Sequence, residues 1–129
     1  MKPVDAEDVR GIWIWGGPGT GKSHHARHAF GDSIYLKAQN KWFDGYAGEK
    51  IIILDDLDTP LLSHHLKIWA DRYACKAEVK QSTVWLHHTH FIVTSNFSIE
   101  QLFADSPEET KEAIKRRFKV IHFTGLRQY

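Results

Sequence analysis

Residues 11–30, GIWIWGGPGTGKSHHARHAF, pass from a bulky apolar run, through a loop with almost no side chains, into a helical stretch. Ile12–Trp15 is continuous and partly β-branched, which predicts a strand covered on both faces, as in a parallel sheet. Lys22 to Phe30 predicts a short helix stopped by Gly31. Between them GGPGTGKS fits G-x-x-x-x-G-K-[ST] at Gly16, Gly21, Lys22 and Ser23. Gly16, Gly17, Pro18, Gly19, Thr20 and Gly21 then wrap the phosphate oxygens, every one of them but Pro18 offering a main-chain N–H, and the helix N-terminus adds the positive end of its dipole. Lys22 is expected at the β- and γ-phosphates and Ser23 on Mg²⁺. A glycine-rich turn matching by chance is the competing reading; the flanking strand and helix weigh against it.

Further along, Ile34–Leu36, Ile51–Leu54, Phe91–Thr94 and Val120–Phe123 predict strands. Ser63 predicts the cap of a helix reaching about Tyr73, with Leu66, Trp69, Ala70 and Tyr73 on one face. AEVKQSTVW alternates around Lys80-Gln81-Ser82 and predicts a hairpin with that tip. Ser98-x-x-Gln101 is a capping-box pattern, and Ser106-Pro107-Glu108-Glu109 predicts the start of a helix to about Arg117. Buried strands alternating with helices imply a layered α/β domain with a mostly parallel sheet. Ligands of such sheets bind beyond the carboxyl ends of the strands. GGPGTGKS, Asp55-Asp56 and Ser95-Asn96 all fall at that end, so they are expected to converge.

A buried strand that ends in two carboxylates needs something to neutralise them, or one stays protonated. A Mg²⁺–nucleotide supplies that: Asp55 binds the metal through water and Asp56 polarises the attacking water. The bland alternative leaves both acids in solvent. Asn96 either donates to a γ-phosphate or holds a lytic water, or it only turns the chain. Arg116 and Arg117 either complement the dipole at a helix C-terminus or supply an arginine finger to a transferring phosphoryl group. Lys80 at the hairpin tip, with Lys76 nearby, either contacts a nucleic-acid backbone or is solvated. His24 with His28, and His88 with His90, have metal-capable spacing, yet lack the further ligands zinc needs and read as structural or surface groups. Trp42 and Phe43 in NKWFDGY read as core aromatics, with base stacking as the lesser reading.

The chain of 129 residues suits one domain. Its net charge of +1 does not suit a protein that coats DNA by charge alone, so any nucleic-acid contact is local. No apolar run approaches the ~18 residues of a membrane span, and MKPVDAEDVR is unlike a signal peptide; no membrane partner is expected. The single Cys75 excludes an internal disulfide framework. Most of the five Trp are expected in the core.

In this order the motifs resemble the superfamily 3 helicase domain of replication initiator (Rep) proteins of small circular single-stranded DNA viruses, circovirus-like ones above all. GGPGTGKS is similar to that family's Walker A, IIILDDLD to Walker B, AEVKQSTVWL to the B′ hairpin and FIVTSN to motif C. NKWFDGYAGEKIIILDD looks especially circovirus-like. The resemblance implies a three-layer, AAA+-like P-loop NTPase. It implies an ATP-driven 3′-to-5′ DNA helicase in rolling-circle replication that works as a ring, as a rule a hexamer, on single-stranded DNA in the host nucleus. It casts Asn96 as γ-phosphate sensor, Arg117 as finger with Arg116 second, and Lys80 as a channel lysine. The family's N-terminal endonuclease and helical oligomerisation segment have no counterpart before Gly11. Residues 1–10 are therefore read as a linker remnant and 11–129 as the isolated ATPase domain, for which a monomer stays open. A nucleotide-dependent switch or a P-loop small-molecule kinase are the alternatives.

Overall fold

A computed structural model of the chain describes residues 1–124. Five parallel strands form the central sheet in the order β2 (Ile34–Lys37), β3 (Ile51–Leu54), β6 (His90–Ser95), β1 (Gly11–Trp15), β7 (Phe118–His122). A separate antiparallel hairpin joins β4 (Lys76–Val79) to β5 (Ser82–Trp85). Among the described residues four helices connect them: α1 (Lys22–Ala29), α2 (Ser63–Trp69), α3 (Ile99–Leu102) and α4 (Glu108–Arg117).

The three inner strands are the apolar runs, because both of their faces are covered. Trp13, Ile52, Leu54, Phe91 and Val93 point to one side, where Leu66, Trp69, Ala77, Phe103 and Ile114 cover them. Ile14, Ile51, Ile53 and Ile92 point to the other, under Ala26 and Phe30 of the α1 region. The result is a three-layer α/β domain of the P-loop NTPase type. The outer strands β2 and β7 leave Leu36 and Val120 exposed.

Several local expectations need correction. Helix α2 stops at Trp69, and Tyr73 is exposed. Past that end, Trp69 O is bonded by His88 Nε2, and the segment before β1 takes the next carbonyls. Arg10 donates through its main chain to Ala70 O and through its side chain to Asp71 O and Arg72 O, and Ala6 N–H donates to Arg72 O. The expected linker remnant is thus pinned to 70–74, and Arg10 itself is buried. Ser63 is the first helical residue rather than the cap, and α4 begins after Pro107 with no side-chain cap from Ser106. The capping box of Ser98 and Gln101 is present in both directions, though its helix is one turn. Strand β7 starts at Phe118, two residues early, because α4 runs into it without a loop. Of the tryptophans only Trp13 and Trp69 are buried; Trp42, expected in the core beside Phe43, is exposed while Phe43 is buried. The domain expected over 11–129 has its last five residues outside the described ones.

Candidate nucleotide site

Beyond Trp15 the chain turns at Gly16, where a side chain has no room: a Cβ would stand 2.1 Å from Phe123 O. The loop re-enters α1 at Gly21, whose φ of 89° is costly for a residue with a side chain. Nothing stands within 4 Å of an added Cβ at Gly17 or Gly19, so the main chain there is open to an approaching oxygen. The first turn of α1 leaves N–H groups without intrahelical partners, aimed at the same space.

A cavity of about 490 Å³ lies over this loop, lined among others by Gly19, Gly21, Lys22, Ser23, Asp56 and Asn96. Lys22 is buried, and its Nζ donates to Asn96 Oδ1 at 2.8 Å and Gly17 O at 3.2 Å. Ser23 Oγ donates to Asp55 Oδ1 at 2.8 Å, which also accepts from Thr94 Oγ1 at 2.5 Å. Arg27 reaches Asp55 Oδ2 at 3.2 Å from an exposed position. Asp56 has φ 54° and is held there by its N–H donating to Thr94 Oγ1 and its carbonyl accepting from Gln39 Nε2. Trp13 Nε1–H donates to Phe97 O, fixing the residue after Asn96.

The ends of β1, β3 and β6 therefore bring together Lys22, Ser23, Asp55, Asp56 and Asn96. The other named residues stand elsewhere. Strands β1 and β7 run side by side from Gly11↔Phe118 to Trp15↔His122. Arg117 thus sits at the amino end of the sheet, five residue rises, or about 16 Å, from the end that bears the glycine-rich loop. Its Nε pairs with Asp71 Oδ2 at 3.2 Å and its Nη1 donates to Ala113 O. Arg116 is exposed on α4. Lys76 and Lys80 are exposed on the hairpin, with Gln81 at φ 65° in its turn. His24 lines the cavity and lies tilted against His28, whereas His88 is buried and bonds Trp69 O through Nε2.

Sequence reasoning did not single out Thr94, Arg27 or Gln39. Thr94 had a signal, since it is the first polar residue of the run FIVTSN. Arg27 lies four residues after Ser23, on the same helix face. Gln39 carries no signal of its own.

A family model described as RNA helicase matches residues 12–97, which span the loop, both carboxylates and Asn96. The chain belongs to this family, as a Rep-like helicase domain. It is 34% identical over 112 residues to the replication-associated protein of Porcine circovirus 1, covering 85% of this chain and 36% of that protein. To the replication-associated protein of Canary circovirus it is 32% identical over 127 residues, 98% of this chain and 43% of the other. To that of Beak and feather disease virus it is 39% identical over 83 residues, 64% of this chain and 28% of the other. The chain thus spans less than half the length of these curated relatives. A solved structure described as a primosome component from Streptococcus pyogenes serotype M3 shares the fold, with a TM-score of 0.53 at 16% identity over 93% of this chain and 71% of the other. The resemblance drawn from the order of the motifs and the α/β layering both hold. The helicase-family assignment implies nucleotide use.

Proposed function

We propose that this domain hydrolyses ATP and couples hydrolysis to 3′-to-5′ movement along single-stranded DNA, and so to duplex unwinding, as a subunit of a ring. The observation that carries the reading is the meeting of Lys22, Ser23–Asp55, Asp56 and Asn96 around one cavity at the carboxyl end of the sheet. Phosphate oxygens suit the open loop amides and the Lys22 ammonium, which now satisfies itself on Asn96 and Gly17. The Ser23 hydroxyl and Asp55 carboxylate are hard oxygen donors of the kind Mg²⁺ takes, one or two from protein and the rest from phosphates and water. When bound, Mg²⁺ neutralises charge on the β- and γ-oxygens. Asp56, at the cavity wall, accepts a proton from the attacking water. Asn96, released from Lys22, is free to donate its amide to the terminal phosphate.

Arg117 cannot serve the site of its own chain, given the length of β1 between them. A neighbouring copy is the recipient that fits, with Asp71 orienting the guanidinium until it is engaged. The test is phosphate release from ATP with Mg²⁺ and no added acceptor, with and without single-stranded DNA. Turnover is expected in wild type, a rise with DNA, and a loss of about 10²–10³-fold in Lys22→Ala. Phosphate transfer only when a small acceptor is added would overturn the reading in favour of a kinase.

A further inference from the structure

The outward face of the hairpin carries two tryptophans that no core residue covers. Ala77 and Val79 of β4 pack into the main cluster, so Lys76 and Glu78 face away, opposite Trp85 and Thr83. Trp42 extends this face on the other side of β4, through a bridge to Glu78. Trp42 is 36% exposed, and neither it nor Trp85 belongs to a core cluster. Lysines lie over both rings: Lys41 Nζ 4.8 Å from the Trp42 centroid, Lys76 and Lys2 at 5.0 and 5.9 Å from that of Trp85.

The face is also preformed. Lys37 is buried and its ammonium donates to the carbonyls of Ala38, Asn40 and Trp42, which fixes the loop that bears Trp42. Phe43 N–H donates to Glu78 O, which fastens the same loop to the hairpin. Of the charges on this face, Glu78 is paired with Lys41, and Lys2 and Lys76 lie by Trp85; the hairpin tip adds the exposed Lys80, whose N–H donates to the Asp44 carboxylate.

We propose that Trp42 and Trp85 form a stacking platform for the bases of single-stranded nucleic acid, with Lys76, Lys80 and Lys2 taking the adjacent phosphates. The proposal rests on the DNA-motor reading and deepens it: the hairpin grips bases as well as backbone. Two wide aromatic faces flanked by lysines match a ligand that alternates flat rings with negative charge. A duplex hides its rings, so the platform selects single strands. Because every base has such a face, it does so without sequence preference.

The experiment compares fluorescein-labelled oligo(dT) with an abasic oligonucleotide of equal length, by anisotropy on the full chain. Wild type is expected to bind oligo(dT) roughly tenfold more tightly. Trp42→Ala and Trp85→Ala should each erase most of that preference, and Trp42→Phe and Trp85→Phe should keep part of it. Lys80→Ala should weaken both oligonucleotides alike. The preference should persist as salt is raised, while the shared phosphate contribution falls. Equal binding of the two oligonucleotides by wild type overturns the platform and leaves the DNA reading standing; so does an undiminished preference in folded Trp42→Ala. Binding of neither oligonucleotide overturns the DNA reading itself. Should Trp85→Ala not fold, Trp42→Ala and the two Phe variants decide the matter.

Discussion

At the scale of single residues, one exposed group and one buried group report on how the site and the core are held. Asp56 combines a carboxylate with a left-handed backbone, a conformation that costs most residues about 1 kcal/mol or more but that Asn tolerates. Asp56→Asn therefore removes the proposed base and leaves the turn. Thermal stability is expected to stay near wild type, while turnover falls about 10²–10⁴-fold; a matching loss of stability would mean the carboxylate is structural. His88 shows the opposite case, a group the core keeps neutral. Burial pushes its imidazole down to about 4, and the nearby Arg10 cation pushes the same way against the bond to Trp69 O. The unfolded chain takes up that proton near pH 6.5, so stability is full above 6.5 and is lost as pH falls toward 4. At roughly 1.4 kcal/mol per pH unit the loss reaches about 3 kcal/mol. Burial lowers His65 and His90 as well, with the same sign. Urea unfolding between pH 7.5 and 4 should therefore show a shallower decline in His88→Gln than in wild type; parallel curves would remove His88 from the account.

At the scale of elements, the sheet's inner strands were legible because a strand buried on both faces must be apolar throughout. Ile51–Leu54 lies where it was read. The phosphate loop was legible because its glycines answer local needs, an absent Cβ at Gly16 and a positive φ at Gly21. What escaped depends on distant partners. The turn after α2 is held by Arg10, some sixty residues earlier, and nothing in LKIWADRY announces it. Trp42 and Phe43 look alike as apolar residues, and only the pairing with β4 decides which turns inward. Trp13 links the two kinds of information. Its ring packs edge-on against Phe118, as an apolar run implies, and its N–H holds Phe97 O beside Asn96, which no pattern shows. Trp13→Phe keeps most of the packing and drops that bond. A stability loss of about 1–2 kcal/mol is expected. Amide exchange should quicken at residues 96–98 while β3 stays protected; unchanged exchange there would count against this anchor.

At the scale of the whole molecule, the site is built at one end of the sheet and the arginine proposed to complete it stands at the other. Activity is therefore expected to be a property of assemblies. Specific turnover should climb with protein concentration, and Arg117→Ala should lower it by about 10³-fold or more. Mixing Arg117→Ala with Lys22→Ala subunits should restore part of the rate, since some junctions then pair an intact lysine with an intact arginine. A flat concentration dependence would instead fit a domain that acts alone. The proposed arrangement also puts weight on one joint. Helix α4 hands over to β7 with no residue between, and Gly11 leaves no gap behind it, its missing Cβ lying 2.3 Å from Arg117 O. Such a splice has no slack. A pull on the guanidinium is not lost in a loop but arrives as shear along the strand that borders β1, whose far end carries the proposed phosphate seat.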